Sequence, residues 1–213
     1  MTTEVTEKSD TSVTFRARDN AETLKNYPYP FEVRLTFSLQ DRTLTTRTEI
    51  VNRGERVMPF ALGLHPGFSL PFAGGTIGDY TVRFEGATGI LQRLNFDEGE
   101  CFPTGGSRDF PLRDGEFFDP TDDFFEAGSA FFCEMPRSVM LEKRETDRRI
   151  AMNFPDFRYF GLWKVPGARF LCMEPWTSLP ALHGVVTELT EKPDLIRLAA
   201  GEQKSLLCTV TFC

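Results

Sequence analysis

The sequence predicts an all-β fold, a sandwich of antiparallel sheets forming one domain over residues 1–213, on three observations. Apolar and polar residues alternate with period two along most of the chain, the pattern of strands with one buried face. Turn residues recur between these runs at hairpin spacing. The 21 phenylalanines supply the large apolar side chains that fill the space where two broad sheets pack face to face.

Taken in order, the first alternating run is Ser12–Arg18. Asp19 or Asn20 then caps a short helical turn through Lys25. In Phe31–Gln40, Phe31, Val33, Leu35, Phe37 and Leu39 share one face, with Glu32, Arg34, Thr36, Ser38 and Gln40 on the other. A turn at Gln40-Asp41-Arg42 leads into Thr43–Val51, and Asn52-Arg53-Gly54-Glu55 makes the next turn. Further strands are expected at Tyr80–Glu85, Ser138–Arg144, Arg149–Phe154, Arg158–Trp163, Phe170–Glu174 and Leu206–Phe212. A hairpin turn at Glu145-Thr146-Asp147-Arg148 joins the strands on either side of it. A second short helical turn is expected over Thr121–Ala127. Two stretches break the alternation and read as long loops, residues 97–120 and residues 175–200.

Composition narrows the function. Lys and Arg number 24 against 31 Asp and Glu, a net charge of −7, which argues against a nucleic-acid binder with its basic face. No apolar run approaches the ~20 residues of a membrane-spanning helix. The opening MTTEVTEKSD has no signal-peptide core, so a cytoplasmic protein with no membrane partner is expected. The five cysteines, Cys101, Cys133, Cys172, Cys208 and Cys213, are dispersed without a C-x-x-C pair. They read as small apolar residues in a reducing compartment rather than as a metal site or disulfide framework.

With two histidines in the chain, histidine chemistry has only His65 and His183 to draw on. An apolar strand, Met58 to Leu64, delivers His65 and ends in Pro66-Gly67; a following proline holds its predecessor extended. A histidine packed at a strand end with both nitrogens satisfied is the plainer alternative for this segment. Phe170-Leu171-Cys172-Met173-Glu174-Pro175-Trp176 has the same design, with a carboxylate closing an apolar strand before proline. Burying an unpaired carboxylate is costly, so Glu174 must meet water, a partner or a ligand; a rim ion pair satisfies this equally well. Trp163 and Trp176 lie close by in sequence and suit the apolar patches of a sugar ring, although ordinary core packing also explains Trp163. Asp119, Asp122, Asp123 and Glu126 lack the spacing and glycine of a calcium loop. Gly74, Gly75 and Gly78 have no βαβ context for a dinucleotide, and no serine sits in a nucleophile elbow.

Two longer runs carry a family resemblance. YPYPFEVRLTFSLQDRTLTTRTEIVNRGERVMPFALGLHPGF, with the later YFGLWKVPGARFLCMEPWTSLPA, resembles the aldose 1-epimerase (galactose mutarotase-like) family, most closely its LacX-like bacterial branch. The resemblance implies an antiparallel β-supersandwich with a sugar site on an open face. It also implies interconversion of α and β anomers of a free aldose without cofactor or metal. By the same resemblance His65 is the general acid and Glu174 the general base, and a monosaccharide is the partner. His65 and Glu174 are then expected to face each other across a hexose-sized gap. Family members usually begin with further strands and a loop bearing His-Gly and Arg, which implies an N-terminally truncated member. A second copy of the chain is a candidate to cover the exposed sheet edges. Relatives often carry an acidic residue near Gly128. These departures keep open a sugar-binding domain without turnover, or an inactive truncated member.

Overall fold

The computed structural model describes residues 2–97, 102–126 and 128–213. The elements run β1 (Thr3–Lys8), β2 (Ser12–Arg18), α1 (Thr23–Asn26), β3 (Phe31–Gln40), β4 (Thr43–Asn52), β5 (Met58–Phe60), β6 (Gly67–Ser69), β7 (Tyr80–Phe84) and β8 (Ile90–Phe96). They continue with β9 (Pro103–Pro111), β10 (Phe117–Phe118), α2 (Asp122–Phe125), β11 (Ala130–Cys133), β12 (Ser138–Lys143), β13 (Arg149–Asn153), β14 (Tyr159–Trp163), β15 (Phe170–Trp176), β16 (Ile196–Leu198) and β17 (Gln203–Phe212). A nine-stranded sheet has the order β1-β2-β3-β4-β17-β13-β12-β7-β10, a six-stranded sheet the order β6-β15-β14-β11-β8-β9, and β16 pairs with β5. Neighbours in both large sheets are antiparallel. Among the described residues no helix is long and apolar enough to cross a membrane.

Phenylalanines join the two large sheets. Phe84 on β7 meets Phe132 on β11 and Phe160 on β14 edge-on, with centroids 5.5 and 6.1 Å apart. Phe154 stacks on Phe160 at 4.9 Å. Val82, Val139, Leu141 and Met152 complete this side of the core without solvent contact. Edge-to-face geometry places the positive ring edge against a negative face, which favours such pairs beyond their buried area.

Several expectations need correction. The apolar face of β3 is only half-buried, and the core reaches it at Phe31 and Val33 alone. Leu39, at its far end, is 50% exposed, because β3 runs on past the packed region. The most buried residue of β3 is Glu32, from the polar face. Arg18, its cross-strand partner, and Arg34, two residues along on the same face, both pair with its carboxylate. The 97–120 loop contains β9, which pairs with β8, and β10, which pairs with β7. Its Gly- and Pro-rich sequence hides an edge strand, and Gly105 and Gly106 take the positive φ angles that a bulged edge requires. The 175–200 excursion likewise contains β16. Alternation did not single out β1, β6, β8 and β11, whereas β5 is the first part of the expected apolar strand Met58 to Leu64.

Both short helices stand where expected. The Asn20 carboxamide oxygen accepts the amides of Glu22 and Thr23, the capping role of such side chains. Ala127, at the expected end of the second, lies outside the described residues. The turn after β4 is pinned by buried Asn52, whose amide nitrogen donates to the carbonyls of Arg56, Leu198 and Ala199. Of the cysteines, Cys172 and Cys208 are buried, Cys133 and Cys213 are partly exposed, and all four are unbridged; Cys101 lies outside the described residues.

Candidate active site

The face of the six-stranded sheet turned away from the core carries the site. Leu171 and Met173 on β15, like Phe160 and Leu162 on β14, point into the core. Strand alternation therefore turns Cys172, Glu174 and Trp176, with Tyr159, Gly161 and Trp163, to the opposite face. Cross-strand register aligns Gly161 with Glu174 and Trp163 with Cys172.

His65 reaches this face differently from the sequence expectation. The strand before it is only Met58–Phe60, and residues 61–66 are extended chain laced along β15. Leu64 N donates to Pro175 O, Met173 N to Pro66 O, and Thr177 N to Leu62 O. The Thr177 hydroxyl accepts the Leu62 amide. Two prolines, Pro66 and Pro175, occupy this seam without breaking it, since each contributes a carbonyl and no donor is asked of it.

The lacing sets His65 Nε2 3.2 Å from Glu174 Oε1. The pair meets directly rather than across a sugar-sized gap. His65 is about half exposed, whereas the Glu174 side chain is 3% exposed. Glu174 Oε2 accepts a hydrogen bond from Trp176 Nε1 at 3.3 Å, and Oε1, fully enclosed, has no hydrogen-bond partner. Burial pushes the Glu174 carboxyl above the ordinary carboxylate range, against the opposing pull of His65 and the Trp176 N–H. The result is a carboxylate more basic than one in water. Burial and the Glu174 charge push the neighbouring Cys172 thiol up to about 11, so it is un-ionised at neutral pH and a poor nucleophile.

Aromatic rings frame the pair. Trp163 meets the His65 ring edge-on at 5.7 Å and leans on Phe170 at 5.6 Å. Phe131 meets Trp176 at 5.9 Å. Two glycines make these positions possible. A Cβ on Gly63 would lie 2.5 Å from the Trp176 ring, and one on Gly161 would lie 2.7 Å from the Phe131 ring. All four residues singled out from sequence, His65, Glu174, Trp163 and Trp176, thus share one face. Sequence reading passed over Cys172, Gly63 and Gly161. The i, i+2 spacing of Cys172 and Glu174 on one strand was the available signal for the first.

Other candidates are accounted for elsewhere. His183 Nδ1 pairs with Asp97 at 2.6 Å. Asp119 is held by Arg113 and Arg144. Asp122 pairs at 2.6 Å with Lys164, whose side chain is 2% exposed and which also donates to Val165 O and Ala168 O. That contact ties α2 to the turn between β14 and β15. Gly128 has a positive φ and open space where a side chain would project.

The chain resembles known proteins in sequence and in fold. The chain is 28% identical to the plasmid-encoded and chromosomal LacX proteins of Lactococcus lactis subsp. lactis over 196 residues, 90% of this chain. It spans 65% of the length of those relatives. A galactose mutarotase-like protein from Lactobacillus casei superposes with a TM-score of 0.89 at 30% identity, over 99% of this chain and 73% of that one. A galactose mutarotase related enzyme from Lactobacillus acidophilus has the same fold, with a TM-score of 0.89 at 22% identity, over 99% of this chain and 71% of that one. The family model for aldose 1-epimerase matches residues 2–183, which include His65 and Glu174, and the chain belongs to the aldose 1-epimerase family.

Proposed function

We propose that the protein interconverts the α and β anomers of a free aldose, with Glu174 as general base and His65 as general acid. One observation carries the reading: a buried carboxylate oxygen of Glu174 lies 3.2 Å from an imidazole nitrogen of the half-exposed His65. The two oxygens exchanged in mutarotation, the C1 hydroxyl and the ring oxygen, are bonded to the same carbon. An acid and a base side by side suit such a substrate better than a pair held apart.

Glu174 takes the proton of the C1 hydroxyl while protonated His65 donates its proton to the ring oxygen, and the C1–ring oxygen bond breaks. The open-chain aldehyde rotates about C1–C2 and the ring oxygen attacks the other carbonyl face. His65 recovers its proton from that oxygen and Glu174 returns its proton to O1. The step converts an imidazolium–carboxylate pair into a neutral pair, a change that a desolvated carboxylate favours. Positioned acids and bases contribute ~10²–10⁴-fold, sufficient for a reaction that already proceeds in water. Trp163 and Trp176 offer apolar faces to the sugar ring.

Polarimetry of freshly dissolved α-glucose or α-galactose tests the proposal. The expected result is relaxation faster than buffer, lost in Glu174→Gln and in His65→Asn. A rate equal to buffer rejects it, and calorimetric binding of an aldose at that buffer rate assigns the chain to sugar binding without turnover.

A further inference from the structure

His65, Cys172 and Glu174 each offer one ligand atom, and these atoms all lie within 4.8 Å of one another. Donors around a single zinc ion, at bond lengths of 2.0–2.3 Å, stand about 3.3–3.8 Å apart. The trio therefore needs only a small side-chain adjustment to close on one ion. Two of the three come from alternate positions of β15, and the third is held against that strand by the lacing at residues 62–66. Glu174 Oε1, one of the three, is fully enclosed and makes no hydrogen bond beyond its 3.2 Å ion-pair contact with His65. Unfilled acceptors of this kind are costly to keep.

We infer that His65, Cys172 and Glu174 form a binding site for a borderline-soft divalent cation of the zinc class, and that the ion switches the site off. One nitrogen, one sulfur and one oxygen match zinc, whereas magnesium and calcium demand six or more oxygen ligands. The half-exposed flank of His65 leaves the fourth position to water or a sugar hydroxyl. Binding takes the imidazole lone pair, the carboxylate and the thiolate, with the thiol proton released to solvent and no change of oxidation state. The inhibitory half of the inference rests on the proposed anomerase reading, because the ion occupies the two atoms that would move protons there. The binding half does not.

The test is titration of the full chain with Zn²⁺ alone by calorimetry, with Co²⁺ as a spectroscopic probe and polarimetry in parallel. One ion is expected per chain, with a thiolate-to-cobalt charge-transfer band. Cys172→Ser should abolish the band and weaken Zn²⁺ binding about tenfold or more. Its inhibition by Zn²⁺ should shift to higher concentration by the same factor. Cys133→Ser should retain both band and affinity. If Cys172→Ser fails to fold, His65→Asn on the exposed rim gives the same binding readout. Unchanged affinity in Cys172→Ser or His65→Asn, or a cobalt spectrum without the thiolate band, overturns the site. An active enzyme that binds no Zn²⁺ sinks this inference and leaves the proposed function standing. Zn²⁺ binding to a chain with no anomerase activity retains the site and removes its inhibitory role.

Discussion

Replacing Glu174 with glutamine should make the protein more stable while removing its activity. A carboxylate offers about four lone-pair positions, and here one is used, by Trp176 Nε1, while Oε1 accepts no hydrogen bond. An unsatisfied buried polar group costs about 1–3 kcal/mol, more when charged. Glutamine keeps the shape, can still accept from Trp176, and carries no charge to desolvate. A gain of about 1 kcal/mol is expected, equivalent to a rise in Tm of about 2–4 °C for a chain of this size. The pH dependence follows from the raised folded-state pKa. Below the unfolded carboxyl pKa both states hold the proton and the charge penalty is absent. As pH rises, the unfolded chain ionises first, so wild-type stability falls until the folded-state pKa is passed and is level beyond it. The advantage of Glu174→Gln should accordingly be small near pH 4 and largest at pH 8. Urea denaturation of both proteins at these two values, with a chelator present, measures it. A variant less stable than wild type at pH 8, or an advantage that shrinks as pH rises, refutes the reasoning. Anomerisation should fall ~10²–10⁴-fold in the same variant.

Three further outcomes are expected. Gly63→Ala should displace the Trp176 ring, since the new Cβ would lie 2.5 Å from it; the Trp176–Glu174 hydrogen bond is lost, and a shifted tryptophan emission with a reduced anomerisation rate reports it. Lys164→Ala removes the buried partner of Asp122 and two donors to the β14–β15 turn, and should cost about 1–3 kcal/mol in a urea titration. Glu32 is desolvated, yet Arg18 and Arg34 outweigh that cost and hold its carboxyl below the usual range. Its contribution is present above the unfolded pKa and lost as pH falls through the folded one. Glu32→Gln should therefore reduce stability at pH 7 and flatten the acid limb of a stability–pH curve.

The strands legible in the sequence were those whose side chains alternate over five or more residues, such as Thr43–Asn52 and Arg149–Asn153. β9 was illegible because its ladder partner, not its own composition, makes it a strand: PTGGSRDFP has little intrinsic preference for extended chain. Glu32 shows the opposite limit. Its polar position was read correctly, but burial came from two arginines that cover it, one on a neighbouring strand.

At the site, local signals marked His65 and Glu174 as candidates beside plainer readings, since an ionisable residue closing an apolar run before proline conflicts with simple burial, and the family resemblance supplied their roles. The alternation along Phe170–Trp176 also determined that Cys172 shares a face with Glu174. What the tertiary structure alone decided was the meeting of His65 with that face. It depends on backbone hydrogen bonds between residues 62–66 and β15, and such pairing is set by which chain segments lie side by side, a property that no local pattern encodes. The fold also leaves Glu174 buried and His65 about half exposed, and the proposed division into base and acid rests on that asymmetry.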